Sequence, residues 1–440
     1  MKLILQKLTN LFFWLKQQPP ITILTFTLLI GLFIPLKISF PWYLSNFSGE
    51  YSDFSTPALY IVDPLAIALV ILLFFSDVSK KSKALALSLL PIFIINAIIS
   101  EFAQFSMYFG LRLWLALAIP LMVTNHKTWK ENFYKYLMLL VCLGAIQSII
   151  LIAQFGLQHS LGLQILGESV FSSSIINSSK IISNIGITVR PYGLFPHPNI
   201  IGGLLVPILI INLYLLNKSK QKNVAAISVI LASIILVGIF LSFSRISEFS
   251  ALVCGFSFLM KLIWDRNFLK IKQLLPIILL TIFLSILILP IQFSRSLQSK
   301  TSINERKIYA QSSIAMIKDH LLIGVGSGQN YFNIQKYSKT NLAPWETQPV
   351  HSVILIALSE FGLLGIALIL LIFSKIKKIP HGEFHHVEKF WIYLLIIAIL
   401  PALLFEHYYY TIWPATLIFG FMLFGFIFKN LTYDNLSQRG

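Results

Sequence analysis

Long apolar runs alternate with short polar breaks along most of the chain. A helix needs about 20 apolar residues to cross the hydrocarbon core of a bilayer. By that template the pattern predicts twelve spans, near 21–38, 57–75, 84–100, 105–123, 134–155, 198–216, 224–243, 246–264, 272–292, 351–373, 390–405 and 411–429, of which the third and eleventh are short. The alternation stops from Phe293 to Val350 and resumes after His351. A polar segment of that length between spans is more often functional than a simple connector. It holds Arg295, Arg306, the Gly324–Gly328 cluster and Trp345, and it predicts a lid over a site floored by the spans. Inside it, Glu305 to Lys318 has helical spacing, with Ile308, Ser312, Ala315, Met316 and Lys318 on one face, as in an amphipathic helix lying on the bundle. Residues 1–20 place Lys2, Lys7 and Lys16 among Leu, Phe and Trp, the pattern of a segment lying on a membrane surface. No small-residue cleavage site follows the first span, which argues against a removed signal peptide.

Composition agrees with this reading. The chain is 56% hydrophobic and 12% charged, with a mean hydropathy of +0.79. The charge fraction is about half that of a soluble domain. The fold class is therefore an all-α integral membrane protein. A net charge of +17 would point to nucleic acid in a soluble protein. Here 22 of the 34 Lys and Arg residues fall in the even-numbered connections, the two termini and the span ends beside them. By the positive-inside rule that side is cytoplasmic, both termini included, with residues 430–440 as a cytoplasmic tail. Nucleic acid is not a predicted partner; membrane lipids are. Cys142 and Cys254 sit inside apolar runs and read as packing residues, with no disulfide framework or zinc site. There is no clear internal repeat and no appended soluble domain.

In this topology the unusual polar residues gather on the outer side. Arg190, His197 and Asn199 precede the sixth span, Ser242-Phe-Ser244-Arg245 forms the tight turn before the eighth, Arg306 and His351 flank the polar stretch, and Glu406-His407 joins the last two spans. Ionisable groups at span ends are functional candidates, with snorkelling to the headgroups as the bland alternative. Arginine suits a bidentate grip on phosphate. Arg245 serves equally well as an interfacial anchor or a partner for Glu248. Arg306 sits in the first turn of its helix, where a cation opposes the dipole, and a solvated face charge is the competing account. The three prolines of Arg190–Asn199 fix a rigid lead-in to a helix and need no further role. Gly324–Gly328 lacks the strand and the Lys-Ser/Thr ending of a nucleotide loop and reads as a flexible turn. His351 can take a proton near neutral pH, although a histidine at a span end is more often a structural hydrogen-bonder. Glu406 and His407 are a second acid/base candidate. Asp63, inside the second span, is a buried carboxylate whose partner the sequence does not reveal. His381, His385 and His386 lie in a charged loop on the opposite side, a weak metal motif away from the site.

Arg190-Pro-Tyr-Gly-Leu-Phe-Pro-His-Pro-Asn199, Ser242-Phe-Ser-Arg245, Arg306 ahead of Ile323-Gly-Val-Gly-Ser-Gly328, and His351-Ser-Val-Ile-Leu-Ile-Ala-Leu-Ser-Glu-Phe-Gly-Leu-Leu-Gly365 resemble, in that order, the signatures of the O-antigen ligase and polymerase family. The resemblance implies a membrane glycosyltransferase with a C-type bundle and a large outer loop. It implies a polyprenyl-diphosphate-linked glycan as donor, a glycan, lipid or protein acceptor, and no metal, nucleotide sugar or other cofactor. Arg245 and Arg306 match the family's functional arginines and His351 its functional histidine; Arg190 matches a further motif arginine. His197, Asn199, Ser244, Glu406 and His407 are supporting candidates. Ligase and polymerase are not separated by these motifs. The alternative from another class is a transporter of a small anion. It lacks the expected support of paired Gly/Pro-broken spans in matching halves.

Overall fold

The computed structural model describes residues 17–40, 52–176, 178–183, 186–298, 300–343, 346–376 and 389–428. Most of the expected amphipathic segment 1–20, Trp345, the histidine loop and the tail lie outside these residues.

Among the described residues, eight helices are long and apolar enough to cross a membrane: α3 (Lys80–Ile98), α4 (Ala103–Thr124), α5 (Lys127–Leu157), α6 (Pro198–Lys218), α7 (Lys222–Leu241), α8 (Arg245–Trp264), α9 (Phe268–Gln298) and α12 (Val353–Ile376). The expectation of twelve is met in part. Shorter apolar helices occupy the other four positions: α1 (Pro20–Gly31), α2 (Val62–Phe75), α13 (Lys389–Phe405) and, after the single turn α14 (Tyr408–Thr411), α15 (Trp413–Met422). The 12-residue α1 rises only about 18 Å against a core of about 30 Å. The third expected span, short in the sequence pattern, is a full 19-residue helix.

The central element is α6. Its most apolar window is 94% buried, more than in any other of the eight, as expected of a helix hydrophobic on every face. It packs against α5, α7, α8 and α13. The approach at its N-terminal end is so close that only glycine fits: a Cβ on Gly203 would overlap the Tyr408 hydroxyl, and the Tyr409 hydroxyl donates to the Gly203 carbonyl at 3.0 Å.

The polar stretch is largely helical. Helix α9 runs past its expected end to Gln298 and is followed by α10 (Lys300–Asp319) and the short α11 (Asn330–Tyr337). The predicted amphipathic helix exists, with its face rotated. Tyr309, Ser312, Ser313 and Met316 are buried, whereas Ile308 is half-buried and Lys318 exposed. Tyrosine and small serines fit against α11 and α12, the neighbours of α10.

Gly324–Gly328 is an ordered joint rather than a loose turn. Its three glycines take φ of 76°, 107° and 74°, values that side chains with a Cβ resist. The segment runs beside a break in α12 at Gly362 (φ 60°, ψ −173°). There Leu363 and Leu364 donate to the Leu321 and Leu322 carbonyls at 2.8 and 3.0 Å, and Val325 and Gly326 donate back to the Ser359 and Glu360 carbonyls at 2.9 and 3.0 Å. The buried Glu360 carboxylate accepts from the Gly328 and Asn330 N–H groups at 2.7 and 3.0 Å and from the Tyr410 hydroxyl. Removing it leaves three donors without an acceptor, each worth about 1–3 kcal/mol. Glu360→Ala is expected to lower the melting temperature of the detergent-purified protein sharply, and Glu360→Gln to lower it less. Equal melting of wild type and Glu360→Ala would show that the joint is not held by this carboxylate.

Candidate active site

Described residues from all six odd-numbered connections of the predicted topology meet at one end of the bundle. The His197 imidazole caps α6, its Nδ1 accepting from the Asn199 N–H at 3.1 Å. The Asn199 side-chain amide donates to Glu406 Oε1 at 2.8 Å. Arg190, almost fully buried, joins three elements. Its Nε and Nη2 donate to the Ser242 carbonyl at 3.0 and 2.8 Å, Nη1 to Ser179 Oγ at 3.0 Å, and Nη2 to Asn199 Oδ1 at 2.6 Å. This fork fastens the Pro-rich lead-in of α6 to the turn that starts α8. These four bonds commit most of the guanidinium to neighbouring segments.

Glu406 is the meeting point. It is 5% exposed. Besides Asn199, Arg306 Nη2 lies 3.4 Å from Oε1, and His351 Nδ1 lies 3.5 Å from Oε2. Arg306 also donates to the Phe405 carbonyl at 3.2 Å. The His351 separation exceeds a good hydrogen bond; Nδ1 has no other partner among the described residues. Burial raises the carboxyl pKa of Glu406, but His351, Arg306 and His407 outweigh it and hold it at about 2. The ring of His407 stands 4.9 Å from that of His351, and its Nδ1 is 2.7 Å from Thr411 Oγ1. Burial, then the neighbouring His351, pushes His407 down to about 3 despite the attraction of Glu406. Near neutral pH the cluster therefore holds a carboxylate, a guanidinium and a neutral His407. Burial and the neighbouring Glu346 raise Glu305, while His351 and Arg306 pull it back.

A cavity of about 450 Å³ opens among these groups. Arg190, His197, Asn199, Arg306, His351, Glu406 and His407 all line it. Ser244 and Arg245 do not. The Ser244 hydroxyl is buried and accepts from Ser247 Oγ at 2.8 Å, and Arg245, exposed, opens α8 beyond the cavity wall. The cavity also takes Asp53, Phe54, Ser179, Tyr309 and Gln348, which the sequence pattern did not single out. Asp53 and Phe54 come from a polar connection with no motif. Tyr309 was legible, one position from the face assigned to its helix.

With this geometry in view, comparison with family models is decisive for one stretch. Residues 200–370 match the O-antigen ligase family. The matched stretch contains Arg245, Arg306 and His351, and ends before Glu406 and His407. Comparisons with curated proteins and with solved structures found no match. The O-antigen ligase match and the apolar helices together support a multi-pass membrane enzyme that transfers glycan.

The two depressed pKa values fix a sign for acid stability. An unfolded histidine takes up a proton near pH 6.5, which buried His407 refuses until about pH 3. The unfolded state thus binds more protons in this window, and stability falls as pH falls through it. Glu406 acts in the same direction from about pH 4.3 downward, until its native carboxylate protonates near pH 2. The melting temperature is expected to drop between pH 6.5 and 4.5, and His407→Gln to flatten that part of the profile. An unchanged slope in the variant would assign it to other groups.

Proposed function

We propose that the 450 Å³ cavity is where a glycan carried on polyprenyl diphosphate is transferred to an acceptor hydroxyl, by the chemistry of an O-antigen ligase or polymerase. The observation that carries the reading is the convergence of His351 and Arg306 on one buried carboxylate, Glu406. The donor is already activated, so the protein must position two substrates and stabilise a departing diphosphate. Arg306 receives the developing charge. Arg245, on the rim, grips the diphosphate as the lipid enters. His351 takes the acceptor proton as the hydroxyl oxygen bonds to the anomeric carbon and the bond from that carbon to the diphosphate oxygen breaks. The resulting imidazolium faces Glu406 through Nδ1, which leaves Nε2 for the acceptor and follows the logic by which a buried carboxylate supports a histidine base. Attack opposite the leaving group inverts the anomeric configuration. No metal or nucleotide is required by these steps.

The reading includes a topology. The short apolar helices α1, α2, α13 and α15 complete twelve passes, both termini are cytoplasmic, and the cavity faces the outer side of the cytoplasmic membrane, under the 293–350 lid. The separation of basic connections from the cavity end supports it.

The test is transfer by purified protein in nanodiscs, given polyprenyl-diphosphate glycan and candidate acceptors, without ATP or added metal. His351→Ala is expected to reduce turnover at least about 100-fold, and Arg306→Ala by about 100- to 1,000-fold, in protein that still folds but melts lower, because each variant takes a partner from the buried Glu406. Arg245→Ala should raise KM for the donor more than it lowers kcat. Wild-type turnover in the His351 or Arg306 variant would remove that residue from the mechanism, and a wild-type protein that binds no donor lipid would sink the proposal.

A further inference from the structure

A second, narrower cavity of about 60 Å³ lies beside the first, and both are lined by Asp53 and Phe54. Lys37, Tyr60, Tyr108, Arg112 and Trp413 form much of its wall. The charge at its centre is unusual. Arg112 belongs to the apolar helix α4, where an ionisable group is costly unless it is paired or functional. It is paired on one side only. Nη2 donates to Asp63 Oδ2 and to the Ala58 carbonyl, both at 2.6 Å. Its Nε and Nη1 bond to none of the described residues. The guanidinium carbon lies 4.5 Å from the Tyr108 ring centre, 5.0 Å from Tyr60 and 5.4 Å from Trp413. The Tyr60 hydroxyl likewise has no hydrogen-bond partner among the described residues, whereas that of Tyr108 is engaged by the Ala58 backbone at 2.9 Å.

These features define a ligand group. Three guanidinium N–H bonds and a phenol without protein partners call for an acceptor oxygen. Aromatic walls call for a small apolar part next to it. The cations already have carboxylate partners, Arg112 with Asp63 at 2.6 Å and Lys37 with Asp53 at 2.8 Å, so a neutral carbonyl fits better than another carboxylate. At about 60 Å³ against about 450 Å³ for the first cavity, it suits a substituent of a few heavy atoms better than a whole sugar ring. We infer that this cavity is a specificity pocket for an acylamido substituent, of the N-acetyl type, on a sugar of the glycan substrate. The carbonyl meets Arg112 and Tyr60, and the methyl meets the aromatic wall. The inference rests on the glycan-transfer reading, and the same chemistry could be presented by the donor glycan or by an acceptor glycan.

The test uses soluble probes with the full-length protein in nanodiscs. Saturation-transfer NMR with methyl N-acetylglucosaminide should give a strong acetyl-methyl signal, and methyl glucoside a weak one. Because Arg112→Gln alone strands Asp63, the paired variant Arg112→Gln/Asp63→Asn is used, and it should lose most of the signal. Tyr60→Phe, which removes one hydroxyl, should weaken probe binding about five-fold. His351→Ala should abolish transfer yet keep the signal. Displacement of the probe by N-acylated lipid-linked donor assigns the pocket to the donor; displacement by N-acylated acceptor glycan assigns it to the acceptor. Displacement by neither, or a signal of equal size in the paired variant, overturns the inference. So does stronger binding of methyl glucuronoside that the same variants remove, since it makes the ligand group a carboxylate. Transfer that proceeds with no acetyl signal rejects this pocket while leaving the transfer reading intact. An acetyl signal without transfer from any donor supports the pocket and rejects that reading.

Discussion

A carboxylate buried among helices must be met by donors, and Glu406 is met from three separate parts of the chain. Asn199 reaches it from the start of α6, Arg306 from α10 and His351 from the lead-in to α12. An ionised group at this depth would be costly alone, and here its neighbours hold it ionised. The requirement runs in both directions. Arg306 and His351 stay near the carboxylate, and the carboxylate fixes where they stand. A site built this way has its charges set before any substrate arrives, which is what stabilising a charged leaving group demands.

Two further buried hubs keep that arrangement in register. Arg190 binds the Pro-rich segment to the turn before α8 through the Ser242 carbonyl. Glu360 binds the glycine joint to α12 and, through Tyr410, to the connection that carries Glu406 and His407. Each replaces backbone pairing that irregular segments cannot make for themselves. The break in α12 at Gly362 follows the same logic, since the amides and carbonyls released there pair with Leu321–Gly326. Irregular backbone amid apolar helices is tolerated where such partners exist.

In the proposed reaction the two cavities divide the work by chemistry. The larger gathers groups that handle charge and a proton. The narrower surrounds a half-satisfied guanidinium with aromatic rings, a surface suited to reading a small polar substituent. Asp53 and Phe54 line both, so a glycan reaching from one to the other passes a shared wall.

The sequence by itself determined the membrane class, the order of the apolar helices and the motifs at their ends, because these depend on local hydropathy and on residue types next to each other. It carried Arg190, Arg306, His351 and Glu406 as separate candidates, and it flagged Asp63 as a carboxylate in need of a partner. What it could not determine was who meets whom. The Asp63–Arg112 pair spans two helices, and Asn199 and Glu406 are joined across 207 residues of sequence. Nor could it decide that Arg245 stands outside the cavity lining while Arg190 lines it and ties two segments together, since both are arginines on the approach to a helix. The length of the terminal helices and the rotated face of α10 were also decided in three dimensions, by prolines, breaks and packing partners that hydropathy does not register. Pairing energy belongs to the contact and not to either residue, so only the tertiary structure assigns it.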